Sequence, residues 1–104
     1  MDKQVILKQI VEVIRKYLGE EYRLYLFGSW AKGGALETSD FDIGILGMEK
    51  VSWSVMTKIN EEVSKIPTLR KIDIVDLTVS SERFRKSALE SAKELDKESS
   101  MLAI

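Results

Sequence analysis

Two short motifs combine residue types used in phosphate and metal chemistry. Gly28-Ser29 comes first, and Asp40-Phe41-Asp42 follows after ten intervening residues. A glycine lets the backbone approach a phosphate closely, while the serine adds a hydroxyl and a backbone amide. Carboxylates at positions i and i+2 of a strand project from one face about 7 Å apart, close enough for their oxygens to bind or flank divalent cations. Together the motifs favour a site for a metal-bound triphosphate.

A third carboxylate on another strand would complete such a site. Two metal ions about 3.5–4 Å apart stabilise both the attacking and the leaving oxygens of a phosphoryl displacement. Asp73 is the preferred third ligand, because it lies between Ile72 and Ile74, where an acid without a cation would be costly. Asp76 is the competitor, but on a regular strand its side chain lies on the opposite face from Asp73. We therefore assign Asp76 to a strand end or a cap.

Each motif also has an ordinary structural explanation. A single Asp-x-Asp is more often a solvated strand end than a metal site, and Gly-Ser occurs in many tight turns. Lys32 and the pair Gly33-Gly34 would add a cation and free amides for a triphosphate tail. Trp30 is expected to pack over the turn or to stack on a ligand base, and Trp53 to lie in the core or in an interface. The functional interpretation depends on the motifs occurring together and in this order.

Composition narrows the possible chemistry. The chain has 104 residues, no cysteine and no histidine, so any reaction must use carboxylates, hydroxyls, amides and cations, the ligands of hard ions such as Mg²⁺. A hydrophobic content of 44% and a charged content of 32% predict one soluble domain over residues 1–104. The net charge of −1 argues against a long nucleic acid as partner. With no apolar run of about 20 residues and no signal peptide, no membrane association and a cytoplasmic location are expected.

Apolar periodicity predicts an α/β fold with the order α-β-α-β-α-β-α. The final helix is expected to be capped by Ser80 or Ser81 and to continue through Leu95, because Phe84, Ala88, Ala92 and Leu95 have helical spacing. Residues 97–104 are expected to form a frayed tail. The predicted elements are a helix from residue 2 to a stop at Gly19, a strand over 22–27, a helical turn over 29–32, a strand over 40–46, a helix over 52–65, a strand over 71–77 and the final helix.

The combined pattern resembles the minimal nucleotidyltransferases of the DNA polymerase beta superfamily, whose signature is Gly-Ser, ten residues, Asp-x-Asp. The resemblance covers nearly the whole chain and implies their fold, a small mixed sheet of about three strands flanked by helices. Members of this group commonly carry arginine where Trp30 and Lys32 stand. The matching segments are Gly28-Ser29-Trp30-Ala31-Lys32-Gly33, Ser39-Asp40-Phe41-Asp42-Ile43 and Ile72-Asp73-Ile74-Val75-Asp76-Leu77.

By this resemblance, Asp40, Asp42 and Asp73 are the catalytic and metal-binding residues for two Mg²⁺ ions. Asp73 would also help to activate the acceptor hydroxyl. The implied nucleotide-binding residues are Gly28, Ser29, Lys32, Gly33 and Ser39.

Short members of this group resemble the antitoxins of HEPN/MNT toxin–antitoxin modules. That likeness implies transfer of AMP from ATP to a tyrosine hydroxyl on a HEPN toxin, and a chain of this length is expected to receive its acceptor on a partner. A homo- or hetero-oligomer is compatible with this interpretation. Two alternatives stay open: a non-catalytic antitoxin that occludes its partner, and transfer to a small molecule such as an aminoglycoside.

Overall fold

The computed structural model of the chain describes residues 3–28 and 40–96, and these form a mixed α/β fold. The predicted fold class is therefore confirmed. The elements are α1 (Lys3–Tyr17), β1 (Arg23–Phe27), β2 (Phe41–Leu46), α2 (Trp53–Val63), β3 (Ile72–Asp76), α3 (Glu82–Leu89) and β4 (Lys93–Leu95). None of the helices in the described ranges is long and apolar enough to span a membrane.

The four strands form one sheet in the order β3-β2-β1-β4. The β1 strand pairs antiparallel with β2 on one side and with β4 on the other. The β2 and β3 strands are parallel, so the chain must cross over between them, and α2 makes that crossover. The parallel pairing brings the first residues of β2 and β3, where the acids lie, to the same end of the sheet.

Alternation along β2 gives the sheet one buried face. Phe41, Ile43 and Ile45 are fully buried on it, as the period of two predicts. The helices α1 and α2 cover this face, and their buried residues complete the core with those of the neighbouring strands. The helical and strand contributions are Ile6, Leu7, Ile10, Val11, Ile14, Ile59, Val63, Leu24, Leu26 and Leu95. Asp42 lies on the opposite face of the sheet, away from this core.

Polar contacts join the two helices of the core layer and fix the start of α2. Both Lys16 and the Tyr17 hydroxyl on α1 bind the carboxylate of Glu62 on α2. At the start of α2, the Ser52 hydroxyl accepts a hydrogen bond from the Val55 amide at 3.2 Å, which satisfies one of the free amides of the first turn. Trp53, the first residue of α2, is 82% exposed, so it does not belong to the core.

The C-terminal part of the described chain differs from the sequence prediction. Ser81 caps α3 as expected, accepting from the Phe84 amide at 3.1 Å, but the helix ends at Leu89 instead of Leu95. Lys93–Leu95 form β4, a fourth strand where about three were expected. Pairing with the free edge of β1 satisfies backbone groups there and buries Leu95, and this tertiary gain overrides the helical pattern.

Candidate active site

Register across the sheet places the candidate catalytic acids beside one another. Phe27 of β1 lies opposite Asp42 of β2, and Asp42 lies opposite Asp73 of β3. Because the partners in a register point to the same face, these three side chains form a row across the sheet on the face away from the core. Asp40 is exposed and lies one residue before β2 begins.

Gly28 directly follows β1 and lies against this row. Its φ is +75°, in the left-handed region that residues with a Cβ rarely adopt. A Cβ at this position would come closer than 3.0 Å to Oδ2 of Asp42 and to 3.3 Å from its Cγ. Glycine is therefore required twice here, once for the turn and once for the close approach of the carboxylate. The structure brings the glycine of the first motif into contact with the second motif.

The electrostatics of the row are those of crowded carboxylates. Burial raises the pKa of the Asp42 carboxyl, and the negative charges of Asp73 and Asp40 raise it further, while Lys71 opposes the effect. Lys71 Nζ lies 3.6 Å from Oδ1 of Asp73, in an ion pair whose side chains are 71% and 40% exposed. A cation bound near Asp42 would reduce the repulsion between these carboxylates, which Lys71 alone offsets only in part.

Asp76 has the structural role that its position on the strand suggested. Its Oδ2 accepts from the Val51 amide at 2.8 Å, and its Oδ1 accepts from the Thr78 amide at 3.0 Å. The Thr78 hydroxyl in turn accepts from the Gly47 amide at 3.0 Å. These bonds join the loop after β2 to the loop after β3, at the end of the strands away from the candidate catalytic acids. Both carboxylate oxygens of Asp76 thus accept hydrogen bonds from backbone amides.

The donor set suits a hard divalent cation, although the side chains do not form a closed metal cage. Within residues 3–28 and 40–96, no group of three acidic side chains is arranged to hold a metal ion. Asp42 and Asp73 nevertheless supply two neighbouring carboxylates on one face, with Asp40 close enough to affect the charge state of Asp42. Carboxylate oxygens are the protein ligands that Mg²⁺ prefers, and it commonly binds through one or two of them together with substrate phosphates. The residues therefore fit the ion.

Several predicted binding residues fall in the part of the chain that the structure does not describe. These are Ser29, Trp30, Lys32, Gly33 and Ser39, together with the predicted helical turn over residues 29–32. Their assignments stay predictions from the sequence. The predicted tail over residues 97–104 also lies outside the described residues.

Two neighbours of the row were missed by the sequence analysis. Lys71 lies two positions before Asp73, a spacing that places both on one side of an extended chain and would have suggested the ion pair. Phe84 of α3 contacts Phe27 edge to face, with ring centroids 6.2 Å apart and an interplanar angle of 89°. No local signal indicated this pair, because Phe84 is remote from Phe27 in sequence.

Lys71 also lines a cavity of about 320 Å³ between the end of α2 and the start of β3. Its walls combine the apolar Val63 and Ile66 with the polar side chains of Asn60 and Arg70. A volume of this size is at the lower end for small-molecule sites. Gly28, Asp40, Asp42 and Asp73 are not among the lining residues. The cavity is therefore adjacent to the row through Lys71 but separate from it.

Comparison with known proteins agrees with this geometry. Residues 8–100 match the family described as polymerase beta, nucleotidyltransferase, and the chain belongs to that family. Its enzyme class is accordingly nucleotidyltransferase, as the resemblance implied.

Individual relatives narrow the comparison. A curated relative from Haemophilus influenzae, called probable protein adenylyltransferase MntA, is 31% identical over 77 residues, which cover 74% of this chain and 68% of the relative. A solved complex of a tri-AMPylated Shewanella oneidensis HEPN toxin with its MNT antitoxin matches with a TM-score of 0.68 and 19% identity, covering 89% of this chain and 71% of the other. A toxin–antitoxin structure with AMP-PNP matches with a TM-score of 0.64 and 20% identity, covering 93% and 78%. The structural matches show the shared fold, and the predicted resemblance to MNT antitoxins is confirmed.

Proposed function

We propose that this chain transfers AMP from ATP to a tyrosine hydroxyl on a HEPN-type toxin and thereby acts as an antitoxin. The observation that carries the proposal is the side-by-side pairing of Asp42 and Asp73 against the left-handed Gly28. That pairing occurs in a member of a nucleotidyltransferase family whose curated relative is called a probable protein adenylyltransferase. The solved complex of an AMPylated HEPN toxin with an MNT antitoxin supports the choice of partner.

In this proposal, Asp40, Asp42 and Asp73 hold two Mg²⁺ ions. When bound there, Mg²⁺ would neutralise part of the negative charge of the triphosphate. The repulsion that raises the pKa of Asp42 supports this assignment, because a cation would favour the charged carboxylate. Gly28, together with Ser29, Lys32, Gly33 and Ser39, is assigned to the phosphates of ATP.

The proposed reaction is an in-line displacement at the α-phosphorus. The acceptor oxygen forms a bond to that phosphorus, and the bond from phosphorus to the bridging oxygen of the β-phosphate breaks, so pyrophosphate leaves. Asp73 accepts the proton of the acceptor hydroxyl. Lys71, in its ion pair with Asp73, adds a positive charge beside that carboxylate. Most of the rate enhancement would come from positioning and electrostatics, as in phosphoryl transfer generally.

The decisive experiment mixes the chain with a purified HEPN toxin, MgCl₂ and α-³²P-ATP. Label should appear on a toxin tyrosine, identified by mass spectrometry, and the toxin should lose its activity. The double variant Asp40→Ala, Asp42→Ala should still bind the toxin but should transfer no label. Asp76→Asn is the matched control, because that acid faces backbone amides at the other end of the strands. If the double variant neutralised the toxin as well as wild type does, occlusion without catalysis would explain the biology instead.

A further inference from the structure

The cavity between the end of α2 and the start of β3 has a positively charged lining. Arg70 and Lys71 both contribute to its wall, and none of the described residues that line it is acidic. Val63 and Ile66 add carbon surface to the same wall. Two cations beside apolar surface suit a carboxylate on a short carbon stem, since the cations can bind the oxygens while the stem packs against carbon.

The cavity lies near one end of the row of acids. Because β3 is an edge strand of the sheet, Asp73 ends the row that begins on β1 beside Gly28. The proposed function assigns the phosphates of ATP to Gly28 and the acceptor hydroxyl to Asp73. Lys71 both lines the cavity and pairs with Asp73, and the two residues are about 7 Å apart along an extended chain. A ligand in the cavity is therefore closer to the acceptor than to the phosphates.

Local contacts hold Arg70 in the cavity wall. The central carbon of its guanidinium lies 5.7 Å from the centroid of the buried Phe41 ring, and Phe41 stands between Asp40 and Asp42 in the sequence. The Thr68 hydroxyl accepts a hydrogen bond from the Arg70 amide at 3.1 Å, which fixes the backbone before β3. A guanidinium has five N–H donors in a planar fork that matches the two oxygens of a carboxylate, so Arg70 can contact the ring and bind a carboxylate at the same time.

We propose that this cavity binds an aspartate or glutamate side chain of the acceptor protein and that Arg70 is a specificity-determining residue for the acceptor. The inference rests on the proposed function and adds one requirement, a carboxylate close in space to the hydroxyl that receives AMP. The carboxylate would bind in the same way before and during transfer, so its contribution is to the affinity for the acceptor and not to the chemical step. An acceptor without such an acid should be a poorer substrate.

The first test changes the charge of the cavity wall and uses a HEPN toxin as acceptor. Arg70→Gln should raise the KM for the toxin by roughly 3- to 10-fold, between the effects of an exposed and a desolvated charge pair. The KM for ATP and the kcat at saturating toxin should stay unchanged. Arg70→Lys keeps the charge but loses the planar fork, so it should recover part of the affinity. Lys58→Gln is the matched control, because it removes a positive charge from an exposed position of α2 outside the cavity lining, and it should behave as wild type.

The second test identifies the carboxylate on the toxin. Each aspartate or glutamate near the labelled tyrosine is changed to asparagine or glutamine, and every toxin variant is assayed with wild type and with Arg70→Gln. One toxin variant should raise the KM with wild type by the same factor as Arg70→Gln does, and combining the two changes should raise it no further. Additive effects for every toxin variant would overturn the inference.

The remaining outcomes separate this inference from the proposed function. A raised KM for ATP alone would assign the cavity to the nucleotide and overturn the inference. An Arg70→Gln variant with an unchanged KM for the toxin would also overturn it, while the proposed function would stand. If wild type transferred no label, the proposed function would fall, and calorimetric affinity for the toxin would decide on the cavity. Equal affinities of wild type and Arg70→Gln would then overturn the inference, and a weaker Arg70→Gln complex would support the carboxylate site.

Discussion

Replacing Gly28 by alanine tests the geometry on which the site depends. The φ of +75° costs an L-residue about 1–2 kcal/mol. The new Cβ also requires the Asp42 carboxylate to move, and pushing a side chain off its rotamer costs about 0.5–1.5 kcal/mol. Gly28→Ala should therefore lower the free energy of unfolding by about 2–3 kcal/mol, which corresponds to a fall in Tm of roughly 10–20 °C for a domain of this size.

Activity should fall further than stability explains. A displacement of about 1 Å at a positioned catalytic group can reduce the rate about 100-fold, and the alanine displaces Asp42 by a distance of that order. Unfolding in urea gives the stability term, and transfer of label from α-³²P-ATP at a temperature where the variant is folded gives the rate. Gly47→Ala is the matched control, because its Cβ would come within 2.6 Å of Cε1 of Tyr22 at the opposite end of β2. That variant should lose stability but retain transfer.

A double-mutant cycle isolates the contact between Gly28 and Asp42. In an Asp42→Ala background the carboxylate is gone, so Gly28→Ala should cost only the backbone contribution of about 1–2 kcal/mol. Equal costs in both backgrounds, together with unchanged transfer by the single variant, would refute the close packing of the two motifs.

Two other substitutions test the carboxylates at opposite ends of the strands. Burial, and then the charge of Asp73, raise the pKa of the Asp42 carboxyl in the folded protein, so the folded state favours the protonated form. The contribution of this group to stability is therefore fully present below the ordinary aspartate pKa of about 3.9, and it is lost as the pH rises through the higher folded-state pKa. In metal-free buffer, Asp42→Asn should therefore melt above wild type at pH 7, with the gap closing toward pH 4; identical melting at every pH would contradict the repulsion. Asp76→Ala leaves the amides of Val51 and Thr78 without their acceptor and should cost about 1–3 kcal/mol in urea unfolding. An unchanged urea midpoint would show that these bonds do not stabilise the loops.

Local pattern was enough to predict the parts of the fold that carry the acids. The alternation in β2 placed Phe41 in the core and Asp42 on the other face, and the structure shows that division. The choice between Asp73 and Asp76 also followed from alternation, since the two lie on opposite faces of β3. In both cases the alternation of side chains along a single strand was enough to assign each residue to a face of the sheet.

Features that depend on distant segments could not be predicted in this way. The sequence Lys93-Glu94-Leu95 is poor in strand-forming residues, and it becomes β4 because the edge of β1 is available for pairing. The contact between Phe27 and Phe84 similarly requires α3 to pack across the sheet. Helical spacing of Phe84 and Leu95 suggested a single helix, but Leu95 belongs to the core layer and Phe84 to the opposite face.

The late position of β4 has a consequence for synthesis of the protein. After Leu46, the last residue of β2, has been added to the growing chain, synthesis must add 49 further residues to reach Leu95. At typical translation rates this takes several seconds. During that time β1 can already pair with β2, while the other edge of β1 stays unpaired. A nascent chain in that interval offers backbone groups to any neighbouring polypeptide. Docking of three residues from the far end of the described chain removes that hazard and completes the hydrophobic interior in the same step.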